Sequence, residues 1–182
     1  MHLVLRLLFP FAAGYFVSFL LRNVNAIIAA DLSAGLGLSA ADLGLLTAAY
    51  FLTFASIQLP LGILLDRYGS RRVEALLLII AGLGCVGFAI GDNLVELVVA
   101  RALIGLGVSA CLMASFKVLA VWYSPERLPS LNAAVMVAGG LGALAATTPL
   151  ARVVDVLGWR DMFFVLAGLT TLVALVCNAI IL

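Results

Sequence analysis

Apolar residues fill six long segments of this chain, and short polar stretches separate them. The segments are approximately Leu7–Ala30, Ala40–Leu65, Val73–Ile90, Leu94–Val121, Leu131–Leu150 and Met162–Leu182. Each approaches or exceeds the roughly 20 residues that a helix needs to cross a hydrocarbon core of about 30 Å. The pattern therefore predicts an all-α membrane protein with six transmembrane helices.

The composition indicates that lipid is the solvent for most of the chain. Hydrophobic residues make up 65% of the 182 residues and charged residues 10%, against about 45–50% and about 25% in soluble domains. A net charge of +1 leaves no basic stripe for nucleic acid. Cys85, Cys111 and Cys177 lie in apolar segments without metal-ligand spacing. We therefore expect neither a metal nor a cofactor, and a lipid bilayer as the main surrounding.

A charged loop at Gly62–Arg72 suggests the orientation. With a cytoplasmic N-terminus, six basic residues lie inside, against Arg152 and Arg160 outside. The six are Arg6, Arg67, Arg71, Arg72, Lys117 and Arg127. Short cytoplasmic loops carry the excess of Lys and Arg. We predict a multi-pass protein of the cell (inner) membrane with its N-terminus in the cytoplasm.

The charged loop also recurs later in the chain. The residues Pro60, Leu61, Asp66, Gly69 and Arg71 return 89 positions on as Pro149, Leu150, Asp155, Gly158 and Arg160. Since three helices are an odd number, a tandem copy of them must insert upside down. The recurrence predicts one six-helix domain over 1–182, built as a 3+3 inverted repeat with units of approximately 1–91 and 92–182.

Three ordered motifs resemble those of the major facilitator superfamily. The first is Gly62-x-x-x-Asp66-Arg67-x-Gly69-x-Arg71-Arg72, which is similar to the loop after the second helix. The second is Arg101-Ala-Leu-Ile-Gly105-Leu-Gly107, and the third is Trp122-Tyr123-Ser124-Pro125-Glu126-Arg127. The resemblance implies the N-terminal half of a secondary active transporter, which moves a small solute by alternating access and is not an enzyme.

Members of this superfamily usually have twelve helices, and the resemblance covers the first six. Two explanations stay open: the chain is part of a longer protein with a C-terminal half, or it is a natural half that pairs with a second copy as a homodimer. An alternative function also stays open. The chain would then be a truncated or non-transporting membrane protein that assembles with, or regulates, a full transporter.

Arg22 is the strongest candidate for substrate binding. A charged residue near the centre of a membrane helix costs about 2.5–3.5 kcal/mol on insertion scales, so it normally faces a cavity or a partner. Tyr15 and Asn25 share its helix face. The segment Leu21-Arg22-Asn23-Val24-Asn25 also resembles the Arg-bearing helix of organic anion:cation symporters, with Leu21 where an Asp is familiar. Alternatively, Arg22 snorkels or bonds a backbone carbonyl for structural reasons.

Arg101 is the second cationic candidate, and the resemblance implies that it reaches the same cavity as Arg22. The alternative is a structural arginine that ties helices together. No acidic residue falls at mid-membrane depth in the six predicted segments, so two guanidinium groups favour an anionic organic substrate. Tyr50 and Gln58 add polar side chains to the predicted binding site.

The charged loop is a candidate for conformational control. The resemblance implies that it latches the two halves of a transporter on the cytoplasmic side. The alternative is a basic loop that only fixes the orientation, and both can hold together. The predicted gating residues are Gly62, Asp66, Arg67, Gly69, Arg71 and Arg72.

Overall fold

A computed structural model describes the backbone of residues 2–180 and the side chains of residues 8–179, and this part of the chain folds into nine helices. They are α1 His2–Leu36, α2 Ala40–Ser56, α3 Gln58–Tyr68, α4 Ser70–Ile90, α5 Leu94–Gly107, α6 Cys111–Trp122, α7 Leu128–Ala145, α8 Thr148–Leu157 and α9 Trp159–Ile180. The predicted end of the last segment at Leu182 lies outside the described residues.

These helices form the predicted spans. Five helical stretches of the described chain are long and apolar enough to cross a membrane, and the bent pair α2 and α3 adds a sixth. The bend of 48° follows Ser56. α5 and α6 together form one stretch of 29 residues, Leu94–Trp122. The prediction of an all-α membrane protein with six transmembrane helices is confirmed.

The inverted repeat is visible at two glycines. Gly69, with φ 80°, directly follows α3, and Gly158, with φ 83°, directly follows α8. A new long helix begins at the residue after each glycine, at Ser70 and at Trp159. A left-handed φ suits glycine because it has no Cβ, so the chain turns sharply at both places. The two turns lie 89 positions apart and coincide with the recurrence seen in the sequence.

The packing follows the same pseudo-symmetry. α1 packs on α7, while its counterpart α5 packs on α2. α4 and α9, the third helices of the two repeats, pack on each other. The apolar core that joins them includes Leu78, Phe88 and Phe163, all fully buried. This arrangement places α1, α2 and α5 around the residues predicted to bind substrate.

Two glycines allow close helix crossings, of α7 with α1 and of α5 with α2. A Cβ on Gly142 of α7 would lie 2.2 Å from the carbonyl oxygen of Phe16 in α1. A Cβ on Gly105 of α5 would lie 2.2 Å from the carbonyl oxygen of Tyr50 in α2. Neither position has room for a side chain, and close backbone approach through small residues is typical of helix packing in membranes.

We expect Gly142→Ala to destabilise the fold, because the new methyl group must push the α1 backbone away. Overpacking of this kind costs about 1–3 kcal/mol. Gly140→Ala is the matched control, since a Cβ there meets no atom within 4 Å. Thermal unfolding in detergent should give a lower melting temperature for Gly142→Ala alone. Equal melting temperatures for the two variants would contradict the close crossing.

Candidate substrate-binding site

Arg22 lies in an aromatic cage formed by Phe19, Phe51 and Phe54. Its Cζ is 4.7 Å from the ring centroid of Phe19, 5.1 Å from that of Phe54 and 5.9 Å from that of Phe51. Phe19 is one turn away on α1, and the other two rings come from α2. Cation–π attraction at these distances holds the guanidinium between the two helices.

The guanidinium of Arg22 keeps unused donor capacity. Its side chain is half-buried, and its Nε is buried without a hydrogen-bond partner in the described part of the chain. Neither ion pair between described residues involves Arg22. A guanidinium presents five N–H donors in a planar fork. The cage therefore holds a cation that forms no ion pair with a described residue and lies next to the Tyr50 hydroxyl.

Tyr50 stands beside this cation. Its ring stacks on Phe54 with centroids 6.2 Å apart, and its side chain is 2% exposed. The hydroxyl is buried and has no hydrogen-bond partner among the described residues. The charges of both Arg22 and Arg101 act on this hydroxyl. Tyr50 thus lies within electrostatic reach of both arginines.

Arg101 is held by protein groups. It is 1% exposed and donates from Nη1 to the carbonyl oxygen of Leu21, at 3.1 Å, and from Nη2 to Oδ1 of Asn25. Its Cζ lies 4.9 Å from the Phe88 ring centroid and 5.7 Å from that of Phe163. The side chain therefore joins α5 to α1, α4 and α9, which is the geometry of a positioning residue.

Asn25 connects this network to an open groove. Its Oδ1 accepts from Arg101, and its Nδ2 donates to Oγ1 of Thr47, at 3.3 Å. The groove has a volume of about 390 Å³ and lies between α1 and α2. It is lined by Asn25, Ala26, Ala29, Leu43, Gly44 and Thr47.

Tyr15 and Gln58 are each engaged elsewhere. Tyr15 is buried, packs edge-on against Phe19 at 5.0 Å between centroids, and directs its hydroxyl to Sδ of Met136, at 3.8 Å. Gln58 donates from Nε2 to the carbonyl oxygen of Ser109, at 3.2 Å. Ser109 lies in the break between α5 and α6, so Gln58 satisfies a carbonyl that the helix break leaves open.

The charged loop contains an ion pair that sequence reasoning missed. Asp66, near the end of α3, pairs with Lys117 of α6. The Asp66 side chain is 79% exposed and that of Lys117 31% exposed. Lys117 is the chain's single lysine, but it stands 51 positions from Asp66 and no local pattern joins them. The pair connects the second and fourth spans at the end of the bundle that carries the loop.

The other predicted gating residues surround this pair at the surface. Gly62 is exposed with open space around it, and Gly69 makes the positive-φ turn. The Cζ of Arg67 lies 5.4 Å from the ring centroid of Tyr68. Arg71 is half-buried and Arg72 is exposed.

Glu74 is a second residue whose position the sequence did not predict. It lies in the second turn of α4, fully buried, and neither carboxylate oxygen has a hydrogen-bond partner among the described residues. It falls at the start of the predicted segment Val73–Ile90, and no role was predicted for it. Its immediate neighbours Val73 and Ala75 are apolar, and this was the available signal that the helix had already entered the core.

The family of the chain follows from this fold and from a family comparison. A family model described as Major Facilitator Superfamily matches residues 11–182. The chain belongs to this superfamily.

Named relatives and solved structures agree with this assignment. The chain is 33% identical over 147 residues to the 4-hydroxybenzoate transporter PcaK of Pseudomonas aeruginosa, covering 80% of this chain and 32% of that protein. It is 28% identical over 159 residues to the probable L-galactonate transporter of Escherichia coli, covering 87% and 35%. A bacterial homologue of the human lysosomal transporter Spinster, inward-facing and unoccupied, matches with a TM-score of 0.84 at 20% identity, covering 94% and 41%. The chain spans about a third of the length of these curated relatives.

Proposed function

We propose that the chain forms the six-helix half of a secondary transporter in which Arg22 binds the anionic group of a small organic solute. The observation that carries this proposal is the half-buried guanidinium in its aromatic cage, which forms no ion pair with a described residue. The relatives named for 4-hydroxybenzoate and L-galactonate are consistent with it, since both names denote organic acids.

The electrostatics of the cage favour an anion. Arginine binds carboxylates through paired, charge-assisted hydrogen bonds, which are roughly twice as strong as neutral ones. The rings of Phe51 and Phe54 give the guanidinium partly apolar surroundings, in which a hydrogen bond is stronger than in water. The cage itself contributes no carboxylate, so the charge of Arg22 is available to the solute. The buried hydroxyl of Tyr50 offers a further donor beside it.

The remaining predicted residues have supporting roles in this proposal. Asn25 contributes an amide to the groove between α1 and α2, while Arg101 fixes that amide and adds positive potential behind it. Tyr15 supports Phe19 from behind, and Gln58 holds the break between α5 and α6. Arg22 would therefore contact the solute directly, and Arg101 would act through Asn25.

Uptake in proteoliposomes tests the proposal. We expect accumulation of radiolabelled aromatic or sugar carboxylates, and none of the corresponding neutral amides, because the amide lacks the charge that Arg22 recognises. The assay is run with the 182-residue chain and with the chain joined to a second six-helix half. In the proposed topology the N-terminus is cytoplasmic, in the inner membrane. Equal uptake of acid and amide would contradict the anion assignment.

The Asp66–Lys117 pair is proposed to act in gating. An exposed ion pair is worth only about 0–1 kcal/mol, so we expect Asp66→Asn to fold normally but to lower the transport rate by releasing α3 from α6. The exchange of Asp66→Lys with Lys117→Asp should recover part of the rate. Asp92→Asn is the matched control, since it breaks the pair with Arg160 near the other end of the bundle. Folded single variants with wild-type rates would contradict the gating role.

A further inference from the structure

A buried carboxyl group lies outside the site described above. Glu74 of α4 is fully buried, and both of its oxygens lack a hydrogen-bond partner among the described residues. It meets α1 at Gly14, where an added Cβ would lie 2.3 Å from Oε1 of Glu74 and 3.8 Å from Sγ of Cys111. The carboxyl thus occupies a space that α1 leaves open by having no side chain at this position.

Among the described residues, the groups that face Glu74 do not neutralise a negative charge. α6 brings Cys111 and α9 brings Cys177, each within electrostatic reach of the carboxyl. Both are thiols that carry no positive charge, and α1 brings the backbone of Gly14. Arg71 lies one turn earlier on α4, and its guanidinium donates no hydrogen bond to either oxygen.

An ionised carboxylate is unstable in this place. Removing a charge from water costs several kcal/mol unless a partner and hydrogen bonds compensate for it. Groups in such surroundings take up a proton and become neutral. Carboxyl groups inside membrane proteins commonly bind and release protons as parts of proton relays. The neutral acid fits the packing seen around Glu74, and the anion requires water to enter.

We propose that Glu74 is a proton-binding site, occupied while α1, α6 and α9 pack around it and emptied to water when these helices separate. In the release step the carboxyl O–H bond breaks and the proton passes to a water molecule, with no change in oxidation state. Glu74 is the fifth residue of α4, so about 6 Å of helix rise separates it from the start of the helix. The adjacent charged loop marks the aqueous side to which the proton leaves.

Infrared spectroscopy of the purified protein in detergent tests this proposal at neutral pH. We expect the wild type to show the C=O stretch of a protonated carboxyl group, and Glu74→Gln to lose it. Glu126→Gln is the control and should keep the band. Glu126 is exposed, and a hydrogen bond from the Ser124 side chain lowers the pKa of its carboxyl, so it is ionised at neutral pH. Glu74→Asp should shift the band without removing it.

Two results would overturn the assignment: absence of the band from the wild type, or its persistence in Glu74→Gln. The first needs no variant, so the test holds even where a variant fails to fold. Use of this proton to drive solute movement rests on the proposed transport function, whereas proton binding does not. Loss of pH-gradient-driven uptake in Glu74→Gln, with solute exchange retained, would connect the two. A wild type with the infrared band and no uptake would reject transport alone.

Discussion

Replacing Arg22 by alanine should lower the affinity for an organic anion by roughly 10- to 150-fold and leave the fold intact. A hydrogen bond to a charged group contributes about 1.5–3 kcal/mol, and each 1.4 kcal/mol is about tenfold in affinity. Arg22 is half-buried, packs against three rings and forms no ion pair with a described residue, so its removal leaves no buried carboxylate without its partner. Binding of labelled solute to purified protein measures the loss.

Two further variants separate charge from geometry at this position. Arg22→Lys keeps the charge but loses the planar fork, so we expect intermediate affinity. Arg152→Ala removes an exposed arginine of α8 and should bind the solute like the wild type. Wild-type affinity in a correctly folded Arg22→Ala protein would reject Arg22 as the anion-binding residue and favour a structural role within the cage.

The spans could be predicted from the sequence because each one coincides with a long apolar run. The two turns at Gly69 and Gly158 were also readable, since glycine and charged residues recur together at both places. The helix breaks were not. The apolar pattern runs through Ile57 as one segment, Ala40–Leu65, although Pro60 has no N–H to donate to the carbonyl oxygen of Ser56 and so favours the bend there.

The sequence could indicate individual candidate residues, but not their contacts. The intramembrane charge identified Arg22 and Arg101 as unusual positions. The Nε of each arginine is buried without a described partner, and the difference between the two lies in their other contacts: Arg22 packs against three rings, while Leu21 and Asn25 accept from Nη1 and Nη2 of Arg101. Such long-range partners carry no local signal. No role was predicted for Glu74 for a related reason, since its burial depends on the helices that pack around the start of α4.

Arg101→Leu should destabilise the bundle by about 2–5 kcal/mol, because it removes charge-assisted hydrogen bonds and leaves the Asn25 amide oxygen without its donor. The guanidinium also packs against the stacked rings of Phe88 and Phe163, and a shorter side chain leaves that space open. Thermal unfolding in detergent should therefore show a clear fall in melting temperature. Arg22→Ala, treated in parallel, should melt close to the wild type.

A structural role for Arg101 predicts a particular pattern across variants. Arg101→Lys should recover only part of the lost stability, since an ammonium cannot reach Leu21 and Asn25 with the same planar fork. Asn25→Ala should weaken the same network and add little to Arg101→Leu in the double variant, because the two residues share one interaction. An Arg101→Leu protein that keeps the wild-type melting temperature but loses solute binding would reverse the assignment. Arg101 would then join Arg22 as a residue that contacts the anion.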